Sequence, residues 1–211
     1  SSNLATTCSF TVSVTDNQPP TFTCPTPSLV LNTTGNNNCE VLIPNLVAMV
    51  IASDNCALAT IPVVQSIPAG AYTGVSHGST IPVSLTVTDA VSNTAGCTVT
   101  FTVNDDDAPV MTCPNNIVQG NTLNTCQAAV TFTLPTPTDN CTGATLLSSH
   151  ASGSTFNVGT TTVTLTATDG VDNSTTCSFT VTVNDTQRPV AVCPTNISQP
   201  ASPGQCSAVV T

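Results

Sequence analysis

Charge is what this chain of 211 residues has least of. There is no lysine, one arginine (Arg188) and one glutamate (Glu40), and charged residues make up 6% of the total. An ordinary soluble domain carries roughly a quarter. The net charge of −10 comes almost wholly from aspartate. A surface of this sign repels phosphate, which argues against nucleic acid and anionic membrane as partners. Tryptophan is absent. No apolar run is long enough to span a bilayer, and there is no recognisable signal peptide. No long stretch repeats apolar residues at the helical period. Leu46 to Ala52 is the one short candidate, and it reads equally well as a buried strand. Also missing are Gly-x-Ser-x-Gly, His-Glu-x-x-His and a phosphate-binding loop, so no catalytic motif is present. His77 and His150 stand at unrelated places and lack flanking motifs. The chain reads as non-enzymatic.

What is present points to strands. Hydrophobic residues make up 39%, and threonine is the commonest residue. β-Branched side chains favour the pleated surface of a sheet. From Thr162 to Asp169, Val163, Leu165 and Ala167 alternate with Thr162, Thr164, Thr166 and Thr168. Phe179, Val181 and Val183 alternate in the same way after Cys177. A period of two means a half-buried antiparallel strand. The intervening Gly170 to Ser174 is turn-rich. Such a pattern is not that of a disordered chain.

Eleven cysteines disclose an internal repeat. No C-x-x-C occurs and neither histidine has a close cysteine, so a zinc site lacks its ligand pairs. A disulfide framework in an oxidising compartment fits better. Cys24-Pro25, Cys113-Pro114 and Cys193-Pro194 recur, and Asp54-Asn55-Cys56 matches Asp139-Asn140-Cys141. The segments after Cys8, Cys97 and Cys177 are three copies of one strand. Successive Cys-Pro pairs lie 89 and 80 residues apart. The extra residues of the first unit read as loop insertions. By contrast, Cys8 to Cys24, Cys97 to Cys113 and Cys177 to Cys193 all span 16 residues. A constant junction suggests that the geometry between units is specified. The expected division is the end of one repeat (1–18), two complete repeats (19–107 and 108–187) and the start of another (188–211). The chain then reads as part of a longer repetitive polymer.

The pattern resembles the hyalin repeat, or HYR domain, an immunoglobulin-like module. The resemblance rests on Cys113-Pro-Asn-Asn-Ile, Cys126-Gln-Ala-Ala-Val-Thr-Phe, Pro137-Thr-Asp-Asn-Cys141, Ser152-Gly-Ser-Thr-Phe-Asn-Val-Gly159, Thr162 to Asp169, Asn173 and Cys177 to Val183. The first complete unit departs from it at residues 70–80. The resemblance implies an all-β fold of tandem antiparallel sandwiches, each of seven or so strands. It also implies extracellular adhesion or scaffolding, with no catalytic residues to carry over. Cores this small, with few aromatics, need covalent staples. In such a sandwich the B–C and F–G loops share the entry end and the A–B loop lies at the exit. That topology predicts Cys56–Cys97 and Cys141–Cys177 within units, and Cys39–Cys113 and Cys126–Cys193 between them. Cys8, Cys24 and Cys206 would pair outside the chain. Wholly internal pairing is the alternative.

Three further expectations concern sites. Asn32, Asn140, Asn173, Asn184 and Asn196 stand in N-x-Ser/Thr sequons. A surface so poor in charge needs another solubilising layer, sugar or burial in an assembly. Asp105, Asp106 and Asp107 at the junction are candidate calcium ligands, since calcium prefers carboxylate oxygens; a turn before proline is the plainer reading. The functional expectation is a structural component of an extracellular filament that self-associates. The alternative is a stalk or adhesin binding a receptor or carbohydrate.

Overall fold

In the computed structural model, residues 6–35, 38–56, 60–141 and 143–210 are described. The first set of strands is β1 (Thr21–Phe22), β2 (Val30–Thr34), β3 (Glu40–Ile43), β4 (Ala52–Ser53), β5 (Val63–Gln65), β6 (Gly70–Tyr72), β7 (Thr80–Thr88) and β8 (Thr94–Asn104). The second is β9 (Ile117–Gly120), β10 (Gln127–Ala129), β11 (Thr145–Ser148), β12 (Thr155–Asn157), β13 (Gly159–Thr168) and β14 (Ser174–Asn184). The chain is therefore all-β and sandwich-like. The segment at Leu46 forms only a single 3₁₀ turn, Val47–Met49, behind a fully buried Leu46.

The long hairpins β7–β8 and β13–β14 form as the alternation requires. Val83, Leu85 and Val87 point inward against Val99, Phe101 and Val103. Val163, Leu165 and Ala167 do the same against Phe179, Val181 and Val183. Each valine, leucine or phenylalanine among them contributes roughly 1.5–3 kcal/mol when fully buried. Phe132 closes the second core edge-on to Phe179, with ring centroids 5.1 Å apart. The outward positions carry hydroxyls, and Thr160 and Thr182 meet across the strands at 3.1 Å.

One strand ties the two layers of the first sandwich. Val30 to Asn32 of β2 run parallel to β8, while Thr33 and Thr34 pair antiparallel with β3. The second repeat places β9 parallel to β14 in the same way. The short pairing Thr21–Ser53 of β1 and β4 recurs as the bridge Val110–Thr138. In the first repeat, Thr73 to Ser79 form a loop between β6 and β7, whereas β12 and β13 are separated by Val158 alone. Residues 6–18 and 188–210 carry no strand. Val12 and Val14 are 72% and 90% exposed, although Phe101 and Val103, their counterparts in the first repeat, are buried.

Candidate functional site at the repeat junction

The parallel register of the first and last strands decides the disulfides. Ile117 lies opposite Val181, and Cys113 and Cys177 each stand four residues earlier. They are bonded, with Cα atoms 5.9 Å apart. The same arrangement of β2 and β8 bonds Cys24 to Cys97, at 6.1 Å. The expected pairs Cys56–Cys97 and Cys141–Cys177 are thus replaced. The parallel pairing of the first strand brings the Cys-Pro cysteine alongside the one in the last strand.

The third bridge crosses the junction. Cys39 bonds Cys141, at a Cα separation of 4.4 Å and a sequence separation of 102. A link between repeats through Cys39 was expected, but to Cys113, which is already held by Cys177. The Asp-Asn-Cys loop is what reaches back to the preceding repeat. Backbone contacts seat it there. Cys39 N–H donates to the Asn140 carbonyl at 2.7 Å. Asn140 Nδ2 donates to the Thr34 carbonyl at 3.1 Å and to Asp107 Oδ2 at 2.7 Å. Cys39 adopts φ 47°, a left-handed conformation that is uncommon for a residue other than glycine. Cys56, Cys126 and Cys193, all expected in bridges, are instead exposed thiols, as are Cys8 and Cys206.

Carboxylates gather at the same place. Asp105 is buried. Its Oδ1 accepts from Thr33 Oγ1 at 3.0 Å and its carbonyl accepts from Asn173 Nδ2 at 3.1 Å. Its N–H donates to His77 Nδ1 at 3.1 Å, so the loop insertion of the first repeat walls the junction. An oxygen of Asp105, an oxygen of Asp139 and Cys141 Sγ lie within 4.8 Å of one another. Asp139 Oδ1 accepts the Cys141 N–H, while its Oδ2 is buried without a partner. Desolvation, and then the charges of Asp105, Asp169 and Asp107, push the Asp139 carboxyl above its ordinary range against the pull of the Cys141 N–H. Asp107 binds Asn140 and Thr33. Asp106 is exposed and accepts from Asn32 Nδ2 at 2.7 Å, away from the cluster. Asp105 to Asp107 therefore do not form one ligand set. The missed members are Asp139 and Asp169. Their signal was recurrence, because Asp54 and Asp89 are their counterparts one repeat earlier, as Asp16 is that of Asp105. Those three also bring carboxylate oxygens within 4.8 Å of each other.

The remaining candidates separate. A cleft of about 640 Å³ opens at the junction between His77, Asp105, Asp139 and Cys141. His150 stacks on Phe156 at 5.3 Å within the second repeat, with Nδ1 3.0 Å from Ser149 Oγ. The two histidines thus share no site. Asn140 and Asn173 use their amide nitrogens inside the junction, whereas Asn32, Asn184 and Asn196 are exposed.

Residues 104–183 match the family model of the HYR domain. Hyalin of the sea urchin Strongylocentrotus purpuratus is 34% identical over 164 residues, covering 75% of this chain and 13% of that protein. Hyalin of Lytechinus variegatus is 32% identical over 214 residues, covering 97% of this chain and 38% of that protein. The chain thus carries an HYR domain at residues 104–183. It spans well under half the length of either hyalin. Among solved structures, Drosophila N-cadherin EC1-4 aligns with a TM-score of 0.35 at 13% identity, over 80% of this chain and 50% of that one. The junction is thus a contact between this HYR domain and the sandwich that precedes it. Among the described residues, no helix is long and apolar enough to cross a membrane.

Proposed function

We propose that this chain is a structural, non-catalytic segment of an extracellular fibre or stalk, in which HYR repeats are bolted together at a fixed angle. The observation that carries this reading is the Cys39–Cys141 bridge with its backbone and Asn140 hydrogen bonds. A bridge closing so long a loop stabilises by about 4–5 kcal/mol in the chain-entropy model. Disulfides persist in oxidising surroundings, which suits an extracellular setting. A face of threonine hydroxyls without charge suits packing against further copies or a coat of sugar. Asn184 and Asn196 are the favoured N-glycan acceptors, because their amides are exposed. Electron cryomicroscopy of native, non-reduced material tests the reading. Filaments with an axial period matching stacked sandwiches support it; dispersed rods that never assemble would leave a stalk or adhesin.

A second reading is favoured by the recurrence of the carboxylates. We propose that each junction takes one calcium ion, held by Asp105 and Asp139 at one and by Asp16, Asp54 and Asp89 at the other. Hard cations prefer such oxygens, and a cation would offset both the desolvation and the carboxylate repulsion that raise the Asp139 carboxyl. Calcium titration followed by calorimetry checks it. The expected result is a higher Tm with calcium and two bound ions per chain, falling to one in D139N; an unchanged stoichiometry in D139N would reject the site.

A further inference from the structure

We infer that Cys56 and Cys126 are the two outward halves of the bridge seen at Cys39–Cys141, and that each is built to bond a further HYR repeat. Cys56 receives a cysteine from a β2–β3 turn, and Cys126 receives one from an Asp-Asn-Cys loop. The inference rests on the tandem-array part of the proposed function and not on filament assembly.

The repeat itself displays the occupied form of each half. Cys56 occupies the position of Cys141, and Cys126 that of Cys39. Cys141 and Cys39 are bonded, whereas Cys56 and Cys126 are exposed thiols. The Cys56 loop already has the bonded shape. Cys56 N–H donates to Asp54 Oδ1 at 2.9 Å, as Cys141 N–H donates to Asp139 Oδ1 at 2.9 Å. Asn93 Nδ2 donates to Asp89 Oδ2 at 2.8 Å and to the Asp16 carbonyl at 3.4 Å. Asn173 makes the same pair of bonds, to Asp169 Oδ2 at 2.9 Å and to the Asp105 carbonyl at 3.1 Å. The receiving surface is therefore assembled around Asp16, lacking only the turn that Cys39 supplies at the other junction.

The internal partners first expected are already taken. Cys97, the expected mate of Cys56, is taken by Cys24, and Cys177 is taken by Cys113. The other exposed cysteines sort into complementary types. Cys8 corresponds to Cys97 and Cys177, and Cys193 to Cys24 and Cys113; Cys206 is a second turn cysteine like Cys126.

The bond forms by thiol–disulfide exchange with a small-molecule disulfide such as oxidised glutathione. Two protein thiols lose two protons and two electrons to become one S–S bond, and the glutathione disulfide becomes two thiols. In a longer chain the partner is a flanking repeat; with these residues alone it is a second copy.

The test is to oxidise the 211-residue protein at high concentration in a glutathione buffer. Non-reduced peptides are then mapped after cleavage at aspartate. The expected products are disulfide-linked multimers in which the Cys56 peptide is joined to the Cys126 or Cys206 peptide. The C126S/C206S double variant loses that link, yet retains Cys24–Cys97 and Cys113–Cys177 and an unchanged circular dichroism spectrum. In material from a longer parent chain, the Cys56 peptide is joined to one from outside these 211 residues. Cys56 joined to Cys8 or Cys193, or still fully alkylatable after complete oxidation, would overturn the inference. Correctly linked multimers that form no filament would sink the fibre reading alone.

Discussion

Asn173 holds two loops with a single amide, since Nδ2 reaches both the Asp105 carbonyl and Asp169 Oδ2. Removing it leaves the buried Asp105 backbone short of a donor. N173A is expected to lower stability by about 1–3 kcal/mol, measured by urea unfolding. As an N-x-Thr sequon the same residue looks like a glycan acceptor; a three-residue motif is blind to a partner 68 positions away. Asp89 at one junction and Asp139 at the other are shifted in opposite senses. Partial desolvation works against Asp89, but the Asn93 side chain and the N–H groups of Asn93, Val91 and Ser92 hold its carboxyl below the ordinary range. Its contribution is present above the unfolded value and is lost as pH falls through the depressed folded one. Asp139 is raised, so its penalty is absent below the unfolded value and grows as pH rises through the raised one. Without calcium, D139N is therefore expected to raise Tm at neutral pH and to leave it little changed in strong acid, as read by calorimetry.

The long strands were the most legible elements. Their alternation of apolar and hydroxyl side chains names both the inward set and the hairpin partners before any coordinates are known. F101A is expected to cost about 3–5 kcal/mol in a denaturant titration, because Phe101 is fully buried between two layers. The layer switch of β2 was not legible. Val30 to Thr34 show no bulge signal, and which neighbour each residue pairs with depends on where β3 and β8 sit. The loop from Thr73 to Ser79 announced itself only as a departure from the repeat. Its role is visible once His77 is seen to accept the Asp105 N–H.

Across the whole molecule, repeat spacing located a specified junction, and the exit position of Cys39 told that its partner lies in the next repeat. The identity of that partner was hidden. Cys113, Cys141 and Cys177 all belong to the facing end, and sequence spacing does not rank their distances in space. The C39S/C141S variant is expected to keep both sandwiches folded while the angle between them broadens, which small-angle scattering reads as a wider distribution of lengths. The internal bridges carry a mechanical consequence. Each joins the first segment of a sandwich to its last strand, across 73 and 64 residues. Tension along the rod passes through these sulfur bridges and, at the junction, through Cys39–Cys141, so the chain each internal bridge encloses is not drawn out. Under oxidising conditions a pulled array gains at most about 3.5 Å for each residue of the linkers between bridges. Pulled by its ends, such an array would stretch like a cable and not pay out like a spring, until a reductant cuts the bridges.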